Sequence, residues 1–125
     1  MLFDTEFIIC RAGGRGAAKQ TRAVAFNQNN DVPLYTSRVC WSEVAEGCET
    51  LAEATRQTRR FTILELNETV AWQASRIARE LKGGGLHIGD NDIWIAATAL
   101  AYGLPLVSNN ARHLGRVPGL DLRPY

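Results

Sequence analysis

Carboxylates recur in this sequence where apolar runs end on polar residues at expected strand-to-helix junctions. Phe3-Asp4-Thr5, Trp41-Ser42-Glu43 and Gly89-Asp90-Asn91-Asp92 follow this pattern, and Val107-Ser108-Asn109-Asn110 makes a fourth polar turn. Acids brought together from separate segments repel, and each raises its neighbours' pKa unless a cation neutralises them. Oxygen donors of this kind select a hard ion, Mg²⁺ or Mn²⁺. Mg²⁺ usually keeps several waters and binds through one or two carboxylates. Such an ion activates water and steadies the charge that builds on a phosphodiester under in-line attack. One helix cannot surround an ion, so this chemistry requires the segments to converge.

The elements around the acids predict how they meet. Leu2-Phe3 reads as a short strand end, and Arg-Ala-Gly-Gly-Arg-Gly at 11–16 as a basic loop; it lacks the Lys-Ser/Thr ending of a phosphate-binding P-loop. Residues 17–29 read as helix and Leu34 to Cys40 as a strand. Ser42 is expected to cap a helix running through Val44, Ala45, Cys48, Leu51 and Ala52. Phe61 to Leu66 alternates like a strand. Asn67 caps a helix whose face carries Val70, Ala71, Ala74, Ile77, Ala78 and Leu81, and Gly83-Gly84-Gly85 stops it.

Asp92 is expected to open a helix that is apolar nearly all round and therefore buried, ended by Gly103 and Pro105. Leu104 to Val107 then forms a strand that runs into Ser108. Alternating strands and helices predict an α/β fold with a short parallel sheet covered on both faces. In such folds sites gather at the carboxyl ends of strands, where the acids would lie. No repeat or linker interrupts the chain, so residues 1–125 read as one domain.

Composition narrows the function classes. With 14 Lys+Arg against 13 Asp+Glu the net charge is +1, too small for nucleic-acid binding by bulk charge. Contacts to RNA must come from local clusters, for which Arg11, Arg15 and Arg112 are candidates, with Arg22 and Arg116 beside them. No apolar stretch approaches a membrane span, and Met1-Leu2-Phe3-Asp4 lacks the basic start of a signal peptide. Cys10, Cys40 and Cys48 are too few and scattered for a disulfide framework or zinc site. A reducing cytoplasm is the expected location.

Each candidate also has a structural reading. Asp4 can cap a helix, Glu43 can favour a helix dipole, and either Asp90 or Asp92 can be a cap. Glu46 is one turn from Glu43 on what reads as a solvated face, and Asn110 suits a turn as well as a ligand. His87 and His113 read as ordinary surface residues. Trp72 and Trp94 read as core or interface, which leaves Trp41 as the tryptophan to watch near substrate.

The motifs taken in order resemble the PIN-domain nucleases, especially the VapC-type toxins of bacterial and archaeal toxin–antitoxin pairs. The resemblance runs through Leu2-Phe3-Asp4-Thr5, Ser42-Glu43-Val44-Ala45-Glu46-Gly47, Ile88-Gly89-Asp90-Asn91-Asp92-Ile93-Trp94-Ile95-Ala96-Ala97 and Leu106-Val107-Ser108-Asn109-Asn110. It extends through Ala111-Arg112-His113-Leu114 to Val117-Pro118-Gly119-Leu120, so it covers essentially the whole chain. It implies a PIN-like three-layer α/β/α fold and an Mg²⁺- or Mn²⁺-dependent endoribonuclease, homodimeric and silenced by a cognate antitoxin. The family's first three acids match Asp4, Glu43 and Asp92, with Asp90 the alternative to the third. The fourth falls on Asn110, which implies weakened metal binding rather than lost activity, and a further acid falls on His113, a departure that bears on a second metal site. Thr5 and Ser108 match hydroxyls that orient the acids.

The competing expectation is a catalytically silent PIN-like partner of a DNA-binding, antitoxin-type regulator. Asn110 and His113 favour it, and the retained acids oppose it. A phosphate-accepting receiver domain also gathers acids at strand ends. It would need a paired acid near the start and a lysine after the last strand, and residues 104–125 contain no lysine.

Overall fold

The computed structural model describes all residues 1–125. In chain order, β1 (Leu2–Phe3) leads through α1 (Thr5–Arg11) and α2 (Ala17–Asn29) to β2 (Tyr35–Ser37). Helices α3 (Arg38–Glu46) and α4 (Leu51–Thr58) precede β3 (Thr62–Leu64), and α5 (Glu68–Gly83) and α6 (Asp90–Tyr102) precede β4 (Leu106–Val107). A one-turn α7 (Ala111–Leu114) and β5 (Leu122–Arg123) complete the chain.

All strand pairs are parallel, in the order β3-β2-β1-β4-β5. The chain winds outward from β1 to β3, then crosses back over to β4 and β5. Right-handed crossovers put α1 to α4 on one face and α5 to α7 on the other. The winding reverses between β1 and β4, and at such a point the loops leaving the strand ends diverge and open a crevice. Asp4 follows β1 and Ser108 follows β4, so both lie at that reversal.

The sheet's centre is held by apolar packing beneath this crevice. Leu2, Phe3, Leu106 and Val107 are fully buried. The Phe3 ring packs against Phe7 at 4.5 Å between centroids, with Phe61 and Phe26 edge-on at 5.9 and 6.0 Å. Thr36, also fully buried, donates its hydroxyl proton to the Phe3 carbonyl at 2.8 Å, fixing the strand end just before Asp4. Helix α6 is buried from Ile95 to Ala99, as its all-round apolar sequence requires. Gly103 ends it at φ +66°, a left-handed conformation that favours glycine.

Several boundaries differ from those expected. The stretch 34–40 is not all strand: the chain turns helical at Arg38 because Ser37 caps α3, its hydroxyl oxygen accepting from the Cys40 N–H at 3.0 Å. Ser42 is therefore exposed in mid-helix, and Gly47 ends α3, so Leu51 and Ala52 belong to a separate helix capped by Thr50. No strand precedes Gly89; residues 86–89 link α5 directly to α6, which starts at Asp90. On α5 the buried face is Val70, Ala74, Ile77 and Leu81, while Ala71 and Ala78 are exposed. Trp72 is 58% exposed, with the Arg76 guanidinium 4.2 Å above its ring.

The two serines make a direct test of the capping assignment. Ser37→Ala leaves a buried N–H without a partner and should cost about 1–2 kcal/mol in urea denaturation. Ser42→Ala, on an exposed helix position, should be neutral or slightly stabilising. Equal losses for both variants would contradict the assignment.

Candidate active site

Asp4 leaves β1 in extended backbone and caps α1, its Oδ1 accepting from the Phe7 N–H at 2.8 Å. Its own N–H donates to the Val107 carbonyl at 3.2 Å, so Asp4 is fastened to β4 as well. Only 8% of the residue is exposed. Burial raises its pKa to about 6; the Ser108 hydroxyl and the Phe7 N–H pull it down, while the charges of Glu6 and Asp92 push it up. The capping role and a place in the cleft are thus compatible, because one carboxylate oxygen serves the helix.

The other polar residues converge from three directions. Glu43 lies in the second turn of α3, not at a strand-to-helix junction, and reaches the cleft from there. Its Oε1 accepts the Thr5 hydroxyl proton at 2.5 Å. Asp92 sits in the first turn of α6, and its Oδ2 faces Asn110 Nδ2 at 3.5 Å and His113 Nδ1 at 3.2 Å. Asn110 caps α7 by position, and its backbone N–H donates to the buried Ser108 hydroxyl at 3.1 Å. One cleft of about 350 Å³ is lined by Asp4, Thr5, Glu43, Asp92 and Asn110, with Arg15 on its wall.

The remaining candidates separate clearly. Asp90 is exposed and faces a different hollow, beside Ala78, His87 and Ile93. Arg15 lines the acid cleft and pairs with Glu6 at 3.1 Å. Arg11 faces away from the acids, its Nε donating to Asn27 Oδ1 at 2.9 Å. Arg112 is exposed on α7, and Arg116 donates to the His87 carbonyl at 2.8 Å. Trp41 lies under the Arg38 guanidinium at 5.0 Å and does not line the cleft.

Glu6 escaped the sequence reading, while Glu46 was read as part of a solvated face and His113 as an ordinary surface residue. Glu6 and Glu46 both line the cleft, and His113 contacts Asp92. The signal for His113 was its spacing: three residues after Asn110 on one helical turn, it projects to the same side.

The donor set fits a hydrated divalent ion. No three His, Cys, Asp or Glu side chains converge tightly enough to enclose a metal by themselves. Mg²⁺ does not require such a cage, since it binds through one or two carboxylates and keeps several waters. A cleft walled by oxygen donors, with a buried carboxylate whose charge is not neutralised, suits that mode.

The uncompensated charge at Asp4 has a stability signature. A carboxyl with a raised folded-state pKa is most stabilising when protonated, and the ionised form carries a penalty once pH exceeds about 6. For this shift the penalty is on the order of 2–3 kcal/mol. Without divalent ions, Asp4→Asn, which keeps the capping oxygen, should melt higher than the parent at pH 7.5. The margin should close as pH falls from about 6 towards 4. A variant that melts lower at pH 7.5 would contradict this.

Comparison with known proteins agrees with this architecture. The PIN domain family model matches residues 1–120. Ribonuclease VapC1 of Methanocaldococcus jannaschii is 35% identical over 65 residues, 52% of this chain and 48% of that protein. Ribonuclease VapC2 of Haemophilus influenzae is 48% identical over 61 residues, 49% of this chain and 46% of that one. The matches therefore span about half the length of these curated relatives. Among solved structures, VapBC-1 from nontypeable Haemophilus influenzae superposes with TM-score 0.78 at 26% identity, covering 98% of this chain and 96% of that one. VapBC2 from Rickettsia felis, bound to a DNA fragment from its promoter, superposes with TM-score 0.79 at 21% identity, covering 99% and 97%, a likeness of fold. This chain belongs to the PIN-domain family.

Proposed function

We propose that this protein is a metal-dependent endoribonuclease and the toxin of a toxin–antitoxin pair, acting in the cytoplasm as a homodimer. The observation that carries the reading is one cleft at the sheet's winding reversal, walled by Asp4, Glu43, Asp92 and Asn110, in a PIN-domain chain. The relatives named as VapC ribonucleases and the neighbours solved as VapBC complexes support both the activity and an antitoxin partner. No helix is long and apolar enough to cross a membrane.

In this reading Asp4, Glu43 and Asp92 hold Mg²⁺ or Mn²⁺, and Asn110 offers a neutral oxygen. When bound, the ion supplies Lewis acidity, lowering the pKa of water and offsetting charge on the phosphodiester. The protein's own groups do the positioning. Thr5 donates to one oxygen of Glu43 and so holds that side chain beside Asp4 at the start of α1. His113 contacts Oδ2 of Asp92 and steadies that side chain from α7. Ser108 lies beside Asp4, and Arg15 is placed to take a phosphate oxygen of the substrate. Substituting Asn for an acid at 110 lowers the cleft's negative charge, so metal affinity should fall without the donor geometry being lost.

The silent-partner reading has one observation in its favour: both Asn110 and His113 engage the same oxygen of Asp92, which competes with its use as a ligand. Cleavage decides between the two. Purified protein should cut a mixed cellular RNA pool with Mg²⁺ or Mn²⁺ and not with EDTA. Asp4→Asn should lower the rate by about a hundredfold or more, roughly 3 kcal/mol of barrier. No cutting under any condition, by folded and antitoxin-free protein, would favour the silent partner. Normal cutting by Asp4→Asn would remove Asp4 from the mechanism.

A further inference from the structure

The acid cleft does not end at the acids. Ile9, Arg15, Glu43 and Glu46 also line a neighbouring hollow of about 440 Å³. That hollow shares Ala12 and Gln57 with a third, of about 330 Å³, whose other walls are Arg11, Arg56, Arg59 and Arg60. A trough thus runs from the acids, past Arg15, to a chamber walled by arginines. Its far end is built where the last turns of α1 and α4 face one another.

None of these four arginines joins an ion pair; the pairs in the molecule are Arg15 with Glu6, Arg38 with Glu65, His113 with Asp92 and Arg123 with Asp121. Cations near a helix C-terminus are favoured by its dipole, which explains arginines at each of the two ends. The dipole does not explain why both sets share one concave surface with no acid among them. Arg11 is held there by Asn27, and both burial and the Arg60 charge lower its pKa, so its charge is a cost in the free protein. A polyanion removes that cost. Guanidinium groups bind phosphate in paired hydrogen bonds, and a chain of net charge +1 must concentrate such attraction locally.

We propose that this trough carries the RNA backbone flanking the cut, with Arg11, Arg56, Arg59 and Arg60 gripping phosphates of an unpaired strand. The inference rests on the ribonuclease reading. An unpaired strand is required because Asp4 is recessed at 8% exposure, and a stiff duplex cannot lower one phosphodiester to it. Substrate length should therefore matter on the α1–α4 side of the cut.

The test is binding of a single-stranded RNA of about twelve nucleotides to Asp4→Asn protein in EDTA, across a KCl series. It is repeated after adding Arg56→Ala with Arg60→Ala, and separately Arg56→Lys with Arg60→Lys; both residues are exposed. The alanine pair should weaken binding about tenfold and reduce the salt slope by roughly 1.4, at ~0.7 per single-strand phosphate. The lysine pair should keep the slope, which distinguishes lost charge from misfolding. On the otherwise unaltered chain with Mg²⁺, the alanine pair should raise KM for the long RNA and leave dinucleotide cleavage unchanged. An unchanged slope and KM in a protein that still cuts RNA overturns the track and leaves the nuclease intact. Loss of RNA binding in a chain whose parent never cuts removes the nuclease reading and, with it, the track as a path to a cut. Unchanged RNA binding with loss of polyglutamate binding overturns the track in favour of an acidic protein contact.

Discussion

A carboxylate held away from water at the end of the central strand is the constraint around which the rest of the molecule is arranged. Asp4 must follow Phe3, whose ring is locked among Phe7, Phe26 and Phe61, and must cap the helix that carries Phe7. Neither role lets it swing out to solvent. The price is a pKa raised to about 6, chiefly by burial, with Glu6 and Asp92 adding to it; the proposed mechanism needs this group ionised. A fold selected for stability alone would place an amide or a serine there, since either caps a helix as well. The retained charge makes sense as half of an interaction whose other half is a cation.

The flanking acids are arranged so that each is oriented through one carboxylate oxygen. Glu43 is tied through one oxygen to Thr5, the residue next to Asp4, which couples α3 to the start of α1. Asp92 is tied through one oxygen to α7, by His113 and Asn110 together. In both cases the second carboxylate oxygen has no such tie. The short strands matter here: two or three residues in β1, β2 and β4 leave helices and turns to begin immediately at the crevice, so side chains from α1, α3, α6 and α7 meet over it.

Much of this was legible in the sequence, for identifiable reasons. The helix at 68–83 was marked by apolar periodicity and by Asn67 at its start, and the buried one by its continuous apolar run and by Gly103 at its end. Asp4, Asp92 and Asn110 were legible as cleft residues because each sits at an element boundary. Glu43 was expected in the cleft too, but by the wrong route: Ser37 and Ser42 are both chemically able to cap, and Val39-Cys40 reads as strand. Only burial of Ser37 against the sheet decides for the earlier site. The chamber of arginines was illegible, because Arg11 and Arg56 to Arg60 are brought together by α1 packing near α4, and no local pattern records that contact. Glu6 was hidden for the same reason.

The charge pattern that results is asymmetric, acids at the winding reversal and unpaired arginines beyond it, in a chain almost neutral overall. The proposed metal site depends on Asp4 being ionised against its surroundings and relieved by a cation. The direct measurement is the titration of the Asp4 side-chain carboxyl by ¹³C NMR, with and without saturating Mg²⁺. The expected result is a midpoint near 6 without metal, displaced well below it when Mg²⁺ is present. A midpoint of about 4 that Mg²⁺ does not move would contradict the account.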